Sequence, residues 1–427
     1  MFAAIGATLI VPNAPLDGCR AARYNENQIK EGTDRAMNNR ERLMNHMLLK
    51  NARVYQNGAF AEANILCLNG TIEKIGRDIG DIPEIPIEDG TGLYAVPGFI
   101  DVHTHGAVGV DVNEGSADGL KKIAAFFASQ GVTAWNASVL TDTEAQTVQA
   151  IRAVKAVMEE SGYGARLLGV HLEGPFLNPD YKGAMPEWLL RKGDRALAEQ
   201  YAAEAGEALR YITVAPEVEG VAELIPFLRK HATVALGHSG ASYEESRAAI
   251  EAGARAITHT FNGMALFHQH RPGLMGAALE TDVYCEAICD GLHLHPGTVR
   301  MLLKCKGWDR VVAITDSIMA AGLPDGQYKL GVNDVIVENG DARLAVGSSR
   351  AGSTLTMIRA LRNILAFTGA PLEKALPLLT ENPARLLGID GRTGSLAPGK
   401  DADIVLLDSA LRVRATYVAG QAVYLAR

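Results

Sequence analysis

From residue 47 onward, apolar and polar positions alternate in short runs: HMLLKNARVYQNG, FAEANILCLNG and TIEKIG, closed by Asn-Gly or another Gly turn. Alternation punctuated in this way is the chemistry of β-hairpins. The other end of the chain repeats it in DADIVLLD, LRVRATYVAG and QAVY. Two β-rich ends flanking a long middle predict that both fold into one small β-sandwich beside the main domain.

The middle has a different rhythm. Strand candidates occupy 98–105, 131–139, 167–174, 211–217, 232–239, 255–262, 283–291 and 310–317. Helical patterns lie between most of them. Leu120, Ile123, Ala124 and Phe127 repeat at i, i+3, i+4 and i+7, and Ser242 with Glu245 offers a capping box. Eight such units over roughly 300 residues predict an α/β fold, a (β/α)8 TIM barrel. A doubly wound sheet is the alternative, but no GxGxxG turn follows the first strand. The expected division assigns 47–96 and 395–427 to the sandwich and 97–394 to the barrel. Pro324-Asp325-Gly326 reads as a turn into a hairpin, and Ser353 or Thr354 as the cap of a following helix.

Residues 1–46 break the pattern. MFAAIGATLIVP is apolar but lacks a basic flank, and 13–46 show no sustained apolar period, so the segment reads as an upstream extension with Met44 or Met47 as the natural start.

Composition narrows the function. With 48% hydrophobic residues in 427, the chain is globular rather than disordered. A net charge of −8 without a basic block argues against nucleic-acid or anionic-membrane partners, and no apolar run approaches the roughly 20 residues that span a bilayer. Five scattered cysteines read as reduced thiols, which places the protein in the cytoplasm.

The chemistry lies at the strand ends. His103, His105, His171, His238, His259, His293 and His295, seven of eleven histidines, fall on or just after strand candidates. A lone histidine there is ordinarily a core residue. Several, joined by Glu173 and Asp316 at the end where barrels build active sites, point to a metal centre. His103 and His105, two apart on one strand, share a face. Imidazoles with a carboxylate suit Zn²⁺ or Fe²⁺ and leave positions for water and substrate. His171 lies deeper than Glu173 and reads as a supporting residue. Asp316 reads as the general base, with a helix N-cap as the alternative.

In order, the chain carries PGFIDVHTHG, HLEGPF, GHSGAS, THTFNGM, DGLHLHP, ITDSIMAAGLPDGQY, AGSTLTM, TENPARLLG and GSLAPGKDADIVLLD. Over about 47–427 it resembles the amidohydrolase superfamily, and within it the N-acetylglucosamine-6-phosphate deacetylases. The resemblance implies a barrel with a small β-sandwich, and hydrolysis of an acetamide on an amino-sugar phosphate. It implies Glu173, His238 and His259 as main metal ligands, with His103 and His105 as a second position, so one or two divalent ions per subunit. It makes Asp316 the general base and acid, His293 a substrate contact that polarises the carbonyl, and Asn262 and Gly263 the positions whose backbone meets the phosphate. It also implies a homodimer.

Two departures stand out. Where relatives read Arg-Glu-Pro-Gly, with the Arg on phosphate, this chain reads His270-Arg271-Pro272-Gly273. Either Arg271 supplies the guanidinium, or the substrate carries no phosphate. Met185 falls where relatives often place a polar group near the sugar. Rival readings are a deacetylase for a related N-acetylated sugar, another amidohydrolase, or a silent relative acting as a binding protein.

Overall fold

The computed structural model describes residues 45–347 and 349–426. The expectation for residues 1–46 therefore lies outside the described residues, apart from Asn45 and His46. The eight expected strands form one parallel sheet in chain order: β1 (Phe99–Asp101), β2 (Val132–Leu140), β3 (Arg166–Glu173), β4 (Leu209–Val214), β5 (Thr233–Leu236), β6 (Ala256–Ile257), β7 (Tyr284–Ile288) and β8 (Val311–Ile314). Every residue of β1, β2, β6, β7 and β8 is buried, as expected of strands covered on both faces. The barrel closes at its C-terminal mouth through the segments that follow β1 and β8. Asp316 N–H donates to His103 O (2.9 Å), and His105 N–H donates to Ser317 O (2.7 Å). At the other end Ile100 N–H donates to Leu379 O (2.8 Å), so a turn of the last helical segment fills the remaining gap.

Three strands are shorter than their hydrophobic runs suggest. The patterns continue through His238, His259 and Asp316, whereas the strands end at Leu236, Ile257 and Ile314. The cause is backbone geometry: His238 (φ 49°), His259 (φ 26°) and Asp316 (φ 48°) lie in the left-handed region, which no strand continues through.

The helices follow their patterns. In Ala117–Ser129 the stripe Leu120, Ile123, Ala124 and Phe127 is buried, and Phe127 meets Trp135 of β2 edge-to-face at 5.2 Å. The capping box forms: Ser242 Oγ accepts from Glu245 N–H, and Glu245 accepts from Ser242 N–H. The cap expected at Ser353 or Thr354 does not. The helix Met357–Thr368 begins after Thr356, because Ser353 Oγ donates to Thr315 O (2.5 Å) and Thr354 Oγ1 to Gly340 O (2.9 Å). The first hydroxyl holds the segment to the end of β8, and the second holds it to the turn of the sheet inserted after β8.

The two chain ends share one eight-stranded sheet. At its centre, Tyr94–Pro97 pairs in parallel with Met47–Gln56 and antiparallel with Ile404–Leu407. The sheet curls until Thr71 bridges Asp401, and Ile72 N–H donates to Lys400 O (2.8 Å). Its halves thus face each other across a core of Leu49, Val54, Ile65, Ile72, Ile404 and Leu406. The sandwich is realised as one folded-over sheet, because the central strand is paired on both sides. Gly98 joins this sheet to β1, and a Cβ there would lie 1.9 Å from Thr133 Oγ1. Only glycine passes that junction.

After β8 the chain inserts a three-stranded antiparallel sheet, Gly326–Leu330, Asn333–Glu338 and Asp341–Leu344, entered through the expected turn. Its Leu330, Val335 and Val337 pack on Leu140, Leu177 and Met185 at the barrel mouth. No helix among the described residues is long and apolar enough to cross a membrane.

Candidate metal centre

The barrel mouth gathers six side chains into two groups, Glu173–His238–His259 and His103–His105–Asp316, all of them buried. Glu173 joins them. Its Oε1 lies 3.2 Å from His238 Nε2, 3.1 Å from His259 Nε2 and 3.4 Å from His103 Nε2, and its Oε2 lies 3.1 Å from His105 Nε2. Asp316 Oδ1 stands 3.3 Å from His105 Nε2 and 3.5 Å from His103 Nε2. The left-handed backbone at three of the six turns each side chain off its strand and onto the barrel axis, a local cost of the kind that functional sites carry.

The second nitrogen of each ring assigns the tautomer. His105 Nδ1–H donates to Ser138 O (3.1 Å), His238 Nδ1–H to Tyr181 O (2.8 Å) and His259 Nδ1–H to Asn262 O (3.1 Å). A carbonyl only accepts, so these three Nε2 atoms present lone pairs to the centre. His103 Nδ1 lies 3.0 Å from Glu286 Oε2, which orients its ring the same way. Yet His238 and His259 bring their Nε2 atoms to 3.0 Å of each other, and His103 and His105 theirs to 3.2 Å. Lone pairs facing at such distances, ringed by carboxylates, call for cations between them. The donor set is imidazole nitrogen and carboxylate oxygen, which fits a divalent ion of the zinc or iron type.

The electrostatics agree. Burial alone would lift the Glu173 and Asp316 carboxyls, but His103 and His105 beside them hold both below the usual range. Burial alone would depress His105, yet its bonds to Asp316 and Glu173 carry it up to about 9, and His103 is raised well above the usual imidazole value by Glu173, Asp316 and Glu286. Both shifts express surplus negative charge in a dry place, which a metal ion neutralises as a proton would. His171 goes the other way. Burial, then the charge of His103, holds it well below the ordinary value, and Ser138 Oγ (2.8 Å) and Thr213 Oγ1 (2.9 Å) engage its two nitrogens. It is a neutral support packed edge-on to His103 at 4.5 Å.

A cavity of about 400 Å³ opens over the centre, lined by His105, Glu173, His238, His259 and Asp316, and by Asn262, Gly263, His293 and Met185. Among the described residues, then, five of the six centre residues and four of the six named for substrate share one space. His293 Nδ1–H donates to Asp290 Oδ2 (2.7 Å), leaving Nε2 as its other polar atom. Met185, 2% exposed, forms an apolar wall with Leu140 and Leu330.

Residues 94–423 match the amidohydrolase family. The chain belongs to that family. It is 36% identical over 380 residues to the N-acetylgalactosamine-6-phosphate deacetylase of Escherichia coli O157:H7, covering 88% of this chain and 99% of the relative. It is also 36% identical to the N-acetylglucosamine-6-phosphate deacetylase of Vibrio furnissii, over 83% of this chain and 89% of the other. Among solved structures, N-acetylglucosamine-6-phosphate deacetylase from Pasteurella multocida superposes with a TM-score of 0.84 at 28% identity, covering 88% and 99% of the two chains. A mutant of the Mycobacterium smegmatis deacetylase in complex with N-acetyl-D-glucosamine-6-phosphate gives 0.82 at 31%, with 88% and 99% covered.

Two expected substrate residues of this amidohydrolase lie elsewhere. His270 and Arg271 do not line the cavity over the two side-chain groups. They line a separate hollow with Tyr181, Ser242, Glu245 and Leu266. The loop after Gly263 runs outward, with Leu266 87% exposed, and Arg271 N–H turns back onto His268 O at 2.9 Å. One residue of loop slack therefore does not bring the Arg271 guanidinium to the cavity. The arginines that do line it are Arg343 and Arg350, on the inserted sheet and just after it.

Pattern reasoning also passed over three carboxylates, two of them, Glu286 and Asp101, fully buried. Glu286 on β7 holds His103 Nδ1 and accepts the backbone N–H of His259 (2.9 Å), touching both ligand groups. Asp101 ends β1 and accepts from Thr315 Oγ1 (2.6 Å), and burial pushes its carboxyl up to about 7. Asp290 orients His293. The signal for Glu286 was available: a single carboxylate inside the apolar strand YCEAI is costly unless paired. Nothing local marks Asp290 or Arg350.

Proposed function

We propose that this amidohydrolase removes the acetyl group from N-acetylglucosamine 6-phosphate, giving glucosamine 6-phosphate and acetate. The observation that carries the reading is the placement of Asp316. Its buried carboxylate faces the same cavity as Glu173, His238 and His259, and is held ionised by the imidazoles beside it. Relatives at 36% identity carry this activity in their names.

Glu173, His238 and His259 would hold one divalent ion, Zn²⁺ or Fe²⁺, and His103 with His105 a second. Such an ion supplies Lewis acidity where the acetamide is cut. The protein's own groups do the proton work. Asp316, acceptor-only when ionised, takes a proton from the attacking water and returns it to the amide nitrogen as the C–N bond breaks, so the sugar leaves as a neutral amine. His293, steadied by Asp290, offers its remaining nitrogen to the developing oxyanion, an interaction worth roughly 3 kcal/mol. Asn262 and Gly263 border the sugar end, and Met185 excludes water from one wall.

Equal identity to the N-acetylgalactosamine 6-phosphate enzyme favours that epimer as a second reading. A cytoplasmic homodimer completes the proposal. Leu266 and Phe267, exposed on the loop of His270 and Arg271, offer an apolar surface for it, and Cys67, Cys285, Cys289 and Cys305 are free thiols. The test is acetate release from both sugar phosphates and their unphosphorylated forms, with metal content measured on the same sample and the oligomeric state by sedimentation. Acetate from the first with bound divalent metal is expected. Absence of acetate from every sugar overturns the reading.

A further inference from the structure

The cavity has a cationic end that the sequence did not announce. Asp341–Leu344 is the last strand of the inserted sheet, and the chain returns beside it so that Arg343 and Arg350 face each other across an antiparallel bridge. Leu344 N–H donates to Ser349 O (3.0 Å) and Ala351 N–H to Ala342 O (3.1 Å), which fixes the register. Like charges directly opposite on paired strands repel, so this pairing needs an anion. Asp341 provides part of it. Arg350 Nε and Nη2 donate to its two oxygens at 2.9 and 3.2 Å, and Arg343 Nε and Nη2 donate to Oδ2 at 2.9 and 2.7 Å. Both arginine side chains remain partly open, at 45% for Arg343 and 33% for Arg350. Among the described residues that line the cavity, these two are the only lysines or arginines.

Their distance from the chemistry is set by backbone. Two residues beyond Arg350, Gly352 (φ +60°) passes so close to β8's end that a Cβ would lie 2.5 Å from Ile318 Cγ2 and 2.8 Å from Asp316 O. The next residue, Ser353, donates its N–H to Asp316 O at 2.7 Å. The arginine pair is thus tied to the segment that carries Asp316, while Arg271 lines another hollow.

We propose that Arg350 and Arg343, oriented by Asp341, are the specificity element of this cavity and bind an anionic oxyacid group of the ligand, a phosphate monoester in the substrate class proposed above. The inference rests on that reading for its substrate but not for its test. A planar fork that is already held at two of its donors loses little freedom when it grips phosphate oxygens.

The experiment titrates inorganic phosphate, and separately inorganic sulfate, into the full metal-loaded chain by calorimetry. It compares the wild type with Arg350→Leu, Arg350→Lys and Arg271→Ala. Phosphate affinity is expected to fall about 100-fold in Arg350→Leu, as for loss of a charge-assisted bidentate contact, and about tenfold in Arg350→Lys. Arg271→Ala is expected to bind phosphate as the wild type does. Metal content retained in Arg350→Leu shows that the barrel mouth is intact; should that variant lose metal, Arg350→Lys carries the comparison. Sulfate binding equal to phosphate supports the arginine pair as an oxyanion element that reads charge and tetrahedral shape rather than the proton of a phosphate. In kinetics, the preference for N-acetylglucosamine 6-phosphate over N-acetylglucosamine should fall with Arg350→Leu, through KM more than kcat. Phosphate affinity that follows Arg271, or that is the same in the Arg350 variants, overturns the proposal. Acetate release by the wild type judges the deacetylase reading separately.

Discussion

The two ligand groups at the barrel mouth use the same residue types, yet they are supported differently. In Glu173–His238–His259, both imidazoles rest on neutral backbone carbonyls, of Tyr181 and Asn262. In His103–His105–Asp316, His103 rests on a buried carboxylate, Glu286. A carbonyl fixes a tautomer, whereas a carboxylate also raises the basicity of the ring and adds charge. The first group is therefore a neutral cradle around one carboxylate, and the second is a charged one whose members are strongly perturbed. This difference suits the proposed division of labour: a steady binding position on one side, and on the other the proton work proposed for Asp316.

Glu173 belongs to both groups, so Glu173→Ala should abolish activity and strip metal from both positions, as read by elemental analysis. Metal retained at full content would show the groups to be independent. Asp316→Asn should lower turnover roughly a thousandfold while at least the ion of the neutral cradle stays bound. Near-normal turnover would remove Asp316 from the mechanism. Glu286→Gln should weaken metal affinity about 10–100-fold in the second group and less in the first, where Glu286 meets only the backbone N–H of His259, seen as biphasic chelation. Equal weakening of both groups would erase the contrast. Asp290→Asn should lower kcat/KM about tenfold by freeing His293 to turn. It carries a pH signature as well. Burial alone would raise the Asp290 carboxyl, but His293 holds it below its ordinary value. A depressed carboxyl stabilises the fold above its unfolded value and loses that contribution as pH falls, so from about pH 4 downward the wild-type Tm should drop more steeply than the variant's. The smallest effect is expected far from the mouth. Ile404→Val in the end sheet should cost about 1 kcal/mol in denaturant unfolding and leave kinetic constants as they are.

Sequence reading succeeded where one local signal carried the answer. The eight barrel strands are apolar runs with polar residues at their ends, and the helix Ala117–Ser129 is a plain stripe. It missed what depends on meeting partners. The left-handed turns at His238, His259 and Asp316 are imposed by tertiary closure; His and Asp enter that region more readily than most residues, but too rarely for the preference to locate the turns. The hydroxyls of Ser353 and Thr354 looked like caps because that is their usual local use, but Thr315 and Gly340 claimed them. The arginine at 271 was legible, and within one chain it lines a hollow apart from the cavity. The arginines at 343 and 350 were placed by a hairpin whose return across the cavity leaves no periodic trace.

The strand Tyr94–Pro97 has a consequence for how the molecule comes into being. One of its neighbours precedes it, but the other, Ile404–Leu407, follows it by roughly 300 residues and is synthesised long after it. The nearby bond from Gln56 to the carbonyl of Leu396 spans 340 positions. Until those later residues emerge, the strand that leads through Gly98 into the barrel has an open edge and an uncovered apolar face. The end sheet is thus the latch of the whole chain. A nascent polypeptide stopped before residue 404 can collect its barrel strands but must hold an unpaired edge in solution, which makes the interval before residue 404 emerges the period of greatest aggregation risk.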